Sequence, residues 1–588
     1  MKKNDGNVSL SRRRALMGAG VAAGAAALPG AAAASAASAV SAVSAKSQRW
    51  DMEADVVCVG SGAAACTAGI TAAALGARVV MVEKMPMCGG TTNKSGGIVW
   101  IPNNRFIAAN GKQDKREDCL RYMARYAYPE HYSPESKNLG LTEHAYQMLE
   151  AFYDNGAKMV DWMDQIGAFK FREFKLWEID IAPPDYADHL PENKRSTMRA
   201  LEPAIGAGPY TGGRAMASQL EDWLRQKKVP FLMEHRAVGV VKEGGRVIGL
   251  EAMHNDKLVR IRARKAVIFG TGGYAHNLEL SGLHQPGIYG TCAALGSTGD
   301  FIPIAQAAGA RMGSLGTAWR AQVVLEQALA NRAVPNTMEF VPGDSMIQVN
   351  KYGRRVVNEK RNYNDRTRAH FPFDPSNIEY PNQFLFMLFD ERTINRYAGT
   401  RAISADKRET PWLIEGANVE ELARNIAQRL EKLAAHIGSY RLDKNFAANL
   451  TATIERYNRF AENGRDEDFD RGLHDYDRIW QKFFSPVSKD SRFQNNDKPN
   501  PTLYPIDQKG PLYAIILAPG SLDTSGGPAI NPNGQVLAAD GKPIPGLYGA
   551  GNCIASPTGP AYMGAGGTIC LAMTFGYLAG RHATESKA

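Results

Sequence analysis

Gly60-Ser61-Gly62-Ala63-Ala64-Ala65 stands between an apolar, β-branched run (Val56, Val57, Val59) and an alanine-rich segment that reaches Leu75. Residues of these types in this order can hold a pyrophosphate. The glycines let the backbone turn and come close, and the next helix aims unpaired N–H groups at the negative charge. Gly76 stops that helix, and a second strand, Arg78 to Val82, delivers Glu83 a little over twenty residues past the first glycine. A carboxylate at that spacing accepts hydrogen bonds from ribose hydroxyls and disfavours a 2′-phosphate. The expected chemistry is dinucleotide binding by Gly60, Ser61, Gly62, Ala63, Ala64, Ala65, Glu83 and Lys84; the plainer reading is an α/β packing turn.

The segment directly after Glu83 separates NAD from FAD. Cys88-Gly89-Gly90-Thr91-Thr92-Asn93-Lys94-Ser95-Gly96-Gly97 is a second loop rich in glycine and hydroxyls, suited to wrap an extended FAD with backbone N–H groups. Two distant segments repeat the pattern of a buried strand running into glycines: Ala266 to Tyr274, with Gly270-Thr271-Gly272-Gly273, and Gly546 to Asn552, which ends Gly551-Asn552. Gly90, Thr91, Thr92, Ser95, Gly96, Gly97, Gly239, Gly567 and Thr568 join these as candidate FAD contacts. Together the four segments resemble the flavoprotein family of fumarate reductases and 3-ketosteroid dehydrogenases, over nearly all of the chain beyond its first 45 residues.

The resemblance implies FAD-dependent chemistry at a CH–CH bond, and particular positions imply the substrate. Fumarate reductases carry a catalytic arginine five residues beyond the Asn of an Asn-Glu pair; after Asn358-Glu359 this chain has Tyr363. Where they bind a carboxylate with His-Gly-x-Asn-Arg-Leu-Gly-Gly, this chain reads Pro560-Ala561-Tyr562-Met563-Gly564-Ala565-Gly566-Gly567. Their His-His-Thr-x-Gly-Gly is here Leu522-Asp523-Thr524-Ser525-Gly526-Gly527. A guanidinium clamps a carboxylate and a phenol does not, so two tyrosines suit a neutral ketone.

Both positions are tyrosine in 3-ketosteroid Δ1-dehydrogenases, the branch this chain is most similar to. By that resemblance the Tyr562 hydroxyl and the Gly566 N–H hold a ketone oxygen and Tyr363 accepts the α proton. Hydride passes to flavin, leaving a C=C bond beside the ketone. A phenol near its ordinary pKa of about 10 is a poor base, so Arg361, Arg366 or Arg368 is expected to lower that of Tyr363. Where that branch carries Tyr-x-Asp-Tyr-Tyr-Pro, this chain reads Tyr186-Ala187-Asp188-His189-Leu190-Pro191. His189 is therefore a further candidate, as a replacement hydrogen-bond partner or as a surface histidine, and the substrate is free to differ from the usual steroid. An enone or enoate reductase running the chemistry backwards uses the same residues, and a flavin-binding carrier without turnover is the alternative of another class.

Placing these residues around one cofactor calls for an α/β fold: a Rossmann-like FAD-binding domain, residues 50–331 and 509–588, with an inserted α+β cap (substrate) domain, 332–508. A chain of 588 residues, 44% apolar and 22% charged, is large enough for both. Gly239 to Arg264 alternates apolar and polar around Gly244-Gly245, as a hairpin or meander does. Beyond Arg332 the character changes. Asn418-x-x-Glu421 opens an amphipathic helix with Leu422, Ile426, Leu430, Leu433 and Ile437 on one face. A cap of this kind closes over substrate and excludes water.

Ser11-Arg12-Arg13-Arg14-Ala15-Leu16-Met17, with a weakly apolar Ala/Gly run to about Ala34 and an Ala/Ser stretch to Ala45, reads as a twin-arginine signal peptide over 1–45. It implies the twin-arginine export machinery as a partner and a periplasmic or extracellular destination; the alternative is a basic turn and a linker. Setting residues 1–45 aside, which hold five basic side chains and one acid, lowers the formal charge from +9 to +5, no electrostatic case for nucleic acid. Seven cysteines without a C-x-x-C spacing argue for free thiols and against c-type haem, an iron–sulfur cluster or a zinc site. Electrons must then pass to or from an external partner, a quinone or a small carrier.

Overall fold

β1 (Met52–Val59) is buried from Val56 to Val59 because it runs between two parallel neighbours and has no solvent face. In the computed structural model the described residues are 49–176, 179–204, 210–398, 402–404, 410–484 and 492–586, so the signal expected over 1–45 lies outside them. Gly62 precedes α1 (Ala63–Ala74), and Gly76, at φ +87°, ends the turn beyond it. β2 (Val79–Val82) then pairs with β1 in the register Val56↔Val79 and Cys58↔Met81. The segment expected to be a loop rich in glycine and hydroxyls contains a five-residue helix, α2 (Gly90–Lys94). Gly89 at φ +102° and Gly90 at φ +48° allow the entry, and the threonines tolerate helical backbone.

The first sheet runs Gln535–Leu537, Pro543–Gly549, β3 (Lys257–Phe269), β1, β2 and Phe231–Leu232 in spatial order, and an antiparallel meander, Arg236–Glu243 and Arg246–His254, leads into β3. Pro543–Gly549, β3, β1 and β2 are mutually parallel, so the glycines after Val59 and Phe269 and beyond Gly549 gather at one edge. α1 packs against the C-terminal helix Ile569–Glu585 through small residues. A Cβ on Gly576 would fall 2.5 Å from the Ala64 carbonyl oxygen, and one on Gly580 2.4 Å from that of Ala68. The alanine-rich composition of α1 is thus a requirement of close packing.

A second, six-stranded sheet is centred on Leu512–Ser525, which pairs antiparallel with Thr317–Val324, Leu385–Asp390 and Ile414–Gly416 and parallel with Gly290–Thr291. Its alternate residues serve two cores. Leu512, Ala514, Ile516 and Ala518 face the core of helices Val419–Lys432 and Phe446–Asn463, and Tyr513, Ile515 and Leu517 face Met346, Met387 and Phe389. The domain limits expected at 331/332 and 508/509 do not coincide with this sheet, which draws strands from both sides of each limit. An apolar run buried on both faces reads the same in either sheet, and only pairing distinguishes them.

Candidate active site

Gly60 turns the chain at φ +104°, where a Cβ would lie 2.5 Å from the Gly270 carbonyl oxygen. The turn aims the start of α1 into a cavity of about 470 Å³. Of the candidate cofactor contacts, Gly60, Ser61, Gly62, Ala63, Ala64, Glu83, Lys84, Gly90, Thr91, Thr92, Ser95, Gly96, Gly97, Gly270, Thr271, Gly272, Gly551, Asn552 and Thr568 line it. Four others stand behind the wall. Ala65 is where α1 meets β3, since a Cβ on Gly270 would fall 2.6 Å from its nitrogen. Gly273 lies against the Thr524 carbonyl, and Gly567 against the Tyr562 ring. Gly239 sits mid-strand beside Glu251, and it is Ala237, two residues earlier on the same strand, that reaches the cavity.

The cavity wall is chemically graded. At one end the buried Glu83 carboxylate accepts from Ser61 Oγ at 2.6 Å and from the Met85 N–H at 2.8 Å. Ser61 Oγ in turn accepts from Gly89 N at 3.0 Å, and the Ala63 N–H donates to Thr92 Oγ1 at 3.0 Å, so the two glycine segments are tied together. Lys84 donates to Asp300 at 2.9 Å and to Thr298 at 2.5 Å. Asp523, which stands where dicarboxylate enzymes have histidine, accepts from Thr91 Oγ1, Ser297 Oγ and Asn552 Nδ2 at 3.2, 3.0 and 3.3 Å. Burial pushes its carboxyl above the usual range. These residues fit a dinucleotide: Gly90 lines the cavity, and no protein atom lies within 4 Å of where its Cβ would stand, so the wall is open there. A helix N-terminus and threonine hydroxyls suit the pyrophosphate, and a positioned carboxylate suits the ribose.

At the other end the wall becomes aromatic. Tyr363 opens α3 (Tyr363–Arg368), capped by Asn362 Oδ1, which accepts from the Asp365 N–H. Tyr562 sits on the loop leading into α4 (Ile569–Glu585). Both are buried and line the cavity together with Tyr186. The Tyr186 hydroxyl donates to the Tyr363 oxygen at 2.9 Å. The Tyr562 ring is stacked on Tyr186 (5.1 Å, 21°) and held edge-on by Tyr363 (5.4 Å, 76°) and Trp319 (5.6 Å, 85°). Trp319 Nε1 donates to Asn552 Oδ1 at 2.8 Å, which links this ring cluster to the cofactor wall. Gly566, at φ +89°, lies so near Ile98 that a Cβ would sit 2.4 Å from its carbonyl. Its N–H makes no hydrogen bond to another described residue.

Two expectations are corrected. His189 does not line the cavity: its side chain is 42% exposed, and its Nδ1 accepts from Arg361 Nη2 at 3.0 Å. The residue of that loop that enters the site is Tyr186, because the Tyr186 N–H donates to the Met563 carbonyl at 3.1 Å and pins it beside Tyr562. The second concerns Tyr363, whose phenol is raised well above its ordinary value by burial first and then by Tyr186 and Tyr562. Arg361 is engaged by Asp188 (2.7 Å) and Asp477 (3.2 Å), and Arg366 by Gln322 and the Arg361 carbonyl. Tyr562 is likewise pushed up to about 12 by burial, so it stays a hydrogen-bond donor at neutral pH. Trp319, Phe340, Trp480 and Cys292 also line the cavity and carried no signal in the sequence, since aromatic and small residues at strand or helix spacing read as core.

A family model described as "FAD binding domain" matches residues 55–569. The chain is 32% identical over 563 residues to 4-oxocyclohexanecarboxylate 2-dehydrogenase of Sinomonas cyclohexanicum, covering 90% of this chain and 92% of that protein. It is 31% identical over 584 residues to 3-oxosteroid 1-dehydrogenase of Mycolicibacterium smegmatis, covering 90% and 96%. Among solved structures it is similar to the 3-ketosteroid Δ1-dehydrogenase of Sterolibacterium denitrificans in complex with 1,4-androstadiene-3,17-dione, at a TM-score of 0.73 and 26% identity, covering 91% of this chain and 100% of that one.

Proposed function

Because the chain belongs to the FAD binding domain family, and is an FAD-dependent dehydrogenase of cyclic ketones, we propose that it introduces a C=C bond beside the carbonyl of a 3-ketosteroid-like substrate. Bound FAD supplies a two-electron acceptor for hydride. The residues of this chain do the rest. The Tyr562 hydroxyl and the Gly566 N–H donate to the ketone oxygen and stabilise the charge that develops on it as the α proton leaves. The deprotonated form of Tyr363 takes that proton, and the Tyr186 hydroxyl, which donates to the Tyr363 oxygen at 2.9 Å, stabilises that form. The adjacent carbon loses hydride, so the substrate gives up one proton and one hydride and gains one double bond.

The observation that carries this reading is the cluster of Tyr186, Tyr363 and Tyr562 in the cavity wall, with no arginine among the described lining residues. Such a wall offers hydroxyl donors to a neutral oxygen and no fork for a dicarboxylate. We further propose that the leader directs export and that an external quinone or small carrier reoxidises the enzyme. A steady-state comparison with an artificial electron acceptor tests the substrate class. Neutral cyclic ketones are expected to turn over and succinate is not; turnover of succinate but of no ketone would overturn the assignment.

A further inference from the structure

Behind the tyrosine cluster lies a buried ionic network that the proposed reaction does not use. Asp185 immediately precedes Tyr186 and is buried. Its Oδ1 accepts from Trp100 Nε1 at 2.7 Å, and its Oδ2 accepts from Arg199 Nη1 at 2.5 Å and from Asn193 Nδ2 at 3.3 Å. Arg199 is buried too, and its charge is already met by Asp114, to which it donates through Nε at 2.8 Å and Nη2 at 2.7 Å. Asp185 is therefore a second carboxylate beside one guanidinium. Burial pushes its carboxyl up to about 7 against the pull of Arg199 and Trp100. A neutral side chain would avoid that cost, so balancing the charge of Arg199 does not account for an acid at this position.

Trp100 passes this anchorage to the other half of the site. Its backbone N–H donates to the Gly566 carbonyl at 3.3 Å, and its indole lies so close to Gly564 that a Cβ there would sit 2.4 Å from Cδ1. The Gly567 N–H closes the turn on the Gly564 carbonyl at 2.9 Å, so the segment from Tyr562 to Gly567 rests on the indole. Phe152, stacked on that ring (6.0 Å, 15°), sets its plane but leaves it free to turn within the plane. The bond from Nε1 to Asp185 removes that freedom. One carboxylate thus touches both the chain that carries Tyr186 and the ring on which the Gly566 donor rests.

We infer that Asp185 is a positioning residue, which through Trp100 and its chain neighbour Tyr186 fixes the Tyr186–Tyr363 pair and the Tyr562–Gly566 donors relative to each other. The inference rests on the proposed function for the use of those groups, and its test reads their placement separately from turnover. Asp185→Asn keeps the size of the side chain but offers one acceptor oxygen to Trp100 and Arg199 together, and it should fold because Asp114 still pairs Arg199. With parental FAD content, the variant is expected to be bleached about thirtyfold more slowly at saturating neutral cyclic ketone, with Kd changed by less than about threefold. Trp100→Phe removes the same bond from its other end. The double variant should then be no more than about threefold slower than the slower single variant, because one bond is lost only once. A lower Tm for Asp185→Asn with a near-parental bleaching rate would make Asp185 a counter-ion only and overturn the inference, and so would losses that multiply in the double variant. Should Trp100→Phe not load FAD, Asp185→Asn decides alone, by its rate and by a second reading that needs no turnover. The oxidised, FAD-loaded protein is titrated with 4-fluorophenol, whose bound fluorine NMR signal reports the hydrogen bonds made to its oxygen. That signal should move towards the free phenol in Asp185→Asn; identical signals in parent and variant overturn the inference. A moved signal from a protein that no cyclic ketone bleaches would instead count against the dehydrogenase reading and leave the positioning by Asp185 standing.

Discussion

Replacing Tyr562 by phenylalanine removes one hydroxyl and leaves a ring that its surroundings already hold. Only 4% of the residue is exposed, and Tyr186, Tyr363 and Trp319 contact the ring with centroids 5.1, 5.4 and 5.6 Å away. The variant therefore opens no cavity beyond one oxygen atom, and folding stability should fall by no more than about 1 kcal/mol. The catalytic loss should be larger. With the Tyr562 hydroxyl gone, the Gly566 N–H alone faces the oxygen on which charge develops, and loss of one such donor costs on the order of a hundredfold in rate, roughly 2.7 kcal/mol. Since burial keeps the Tyr562 phenol at about 12, the parent holds this donor protonated throughout the neutral range, and the loss should be the same across it. Anaerobic stopped-flow bleaching of the visible flavin band by a neutral cyclic ketone measures the step. A Tyr562→Phe variant with parental FAD content and a near-parental bleaching rate would refute the reasoning.

Tyr363→Phe should be at least as damaging as Tyr562→Phe. In the parent the bleaching rate should rise with pH through the alkaline range, because burial lifts the Tyr363 phenol above about 10 and, below its pKa, each unit rise in pH raises its deprotonated fraction about tenfold; a flat profile would remove Tyr363 as the base. Gly60→Ala places a Cβ 2.5 Å from the Gly270 carbonyl at φ +104°, and should yield protein with less than about a tenth of parental FAD and a lower Tm, checked by the ratio of visible to ultraviolet absorbance and by thermal melting. Arg12→Lys with Arg13→Lys should leave FAD-loaded protein in the cytoplasm; unchanged export in a fractionation assay would show that these arginines are not the signal.

The cofactor half of the site is legible in the sequence because backbone geometry restricts residue choice there. Gly60 at φ +104° and Gly272 at φ +76° are positions where only glycine is unstrained, and a carboxylate at Glu83 is set by the spacing of two parallel strands. Contacts one layer deeper are not separable from it. Ala65, Gly273 and Gly567 are small because another element packs on them, and in the sequence a small residue facing a ligand looks the same as one facing a helix. Gly239 misses the cavity and Ala237 reaches it because a strand's residues alternate faces but its bulges shift the count; the pairing shifts between Ala237 and Gly239.

The aromatic half depends on distance across the chain. Tyr186 and Tyr363 are 177 residues apart and are brought together by bonds to the Tyr186 backbone, whose N–H donates to the Met563 carbonyl and whose carbonyl accepts from Arg361 and Asn362. The sequence draws attention to His189, where the motif departs, although its unchanged first tyrosine is the residue that enters the cavity. The strand Leu512–Ser525 hides its neighbours for a related reason, since two-sided burial erases the alternation that would have shown which sheet it joins.

The central claim is that this FAD-loaded chain desaturates a cyclic ketone through an α-proton abstraction made by the tyrosine cluster. Mixing the oxidised protein with a neutral cyclic ketone in the absence of oxygen, while following the visible flavin band together with the ultraviolet absorbance of a conjugated enone, tests it most directly. Bleaching and enone should appear with one rate and in equal amounts, and deuterium at the α carbon should slow both together. Bleaching without enone, or no bleaching by any cyclic ketone from a protein that carries its full complement of FAD, would contradict it.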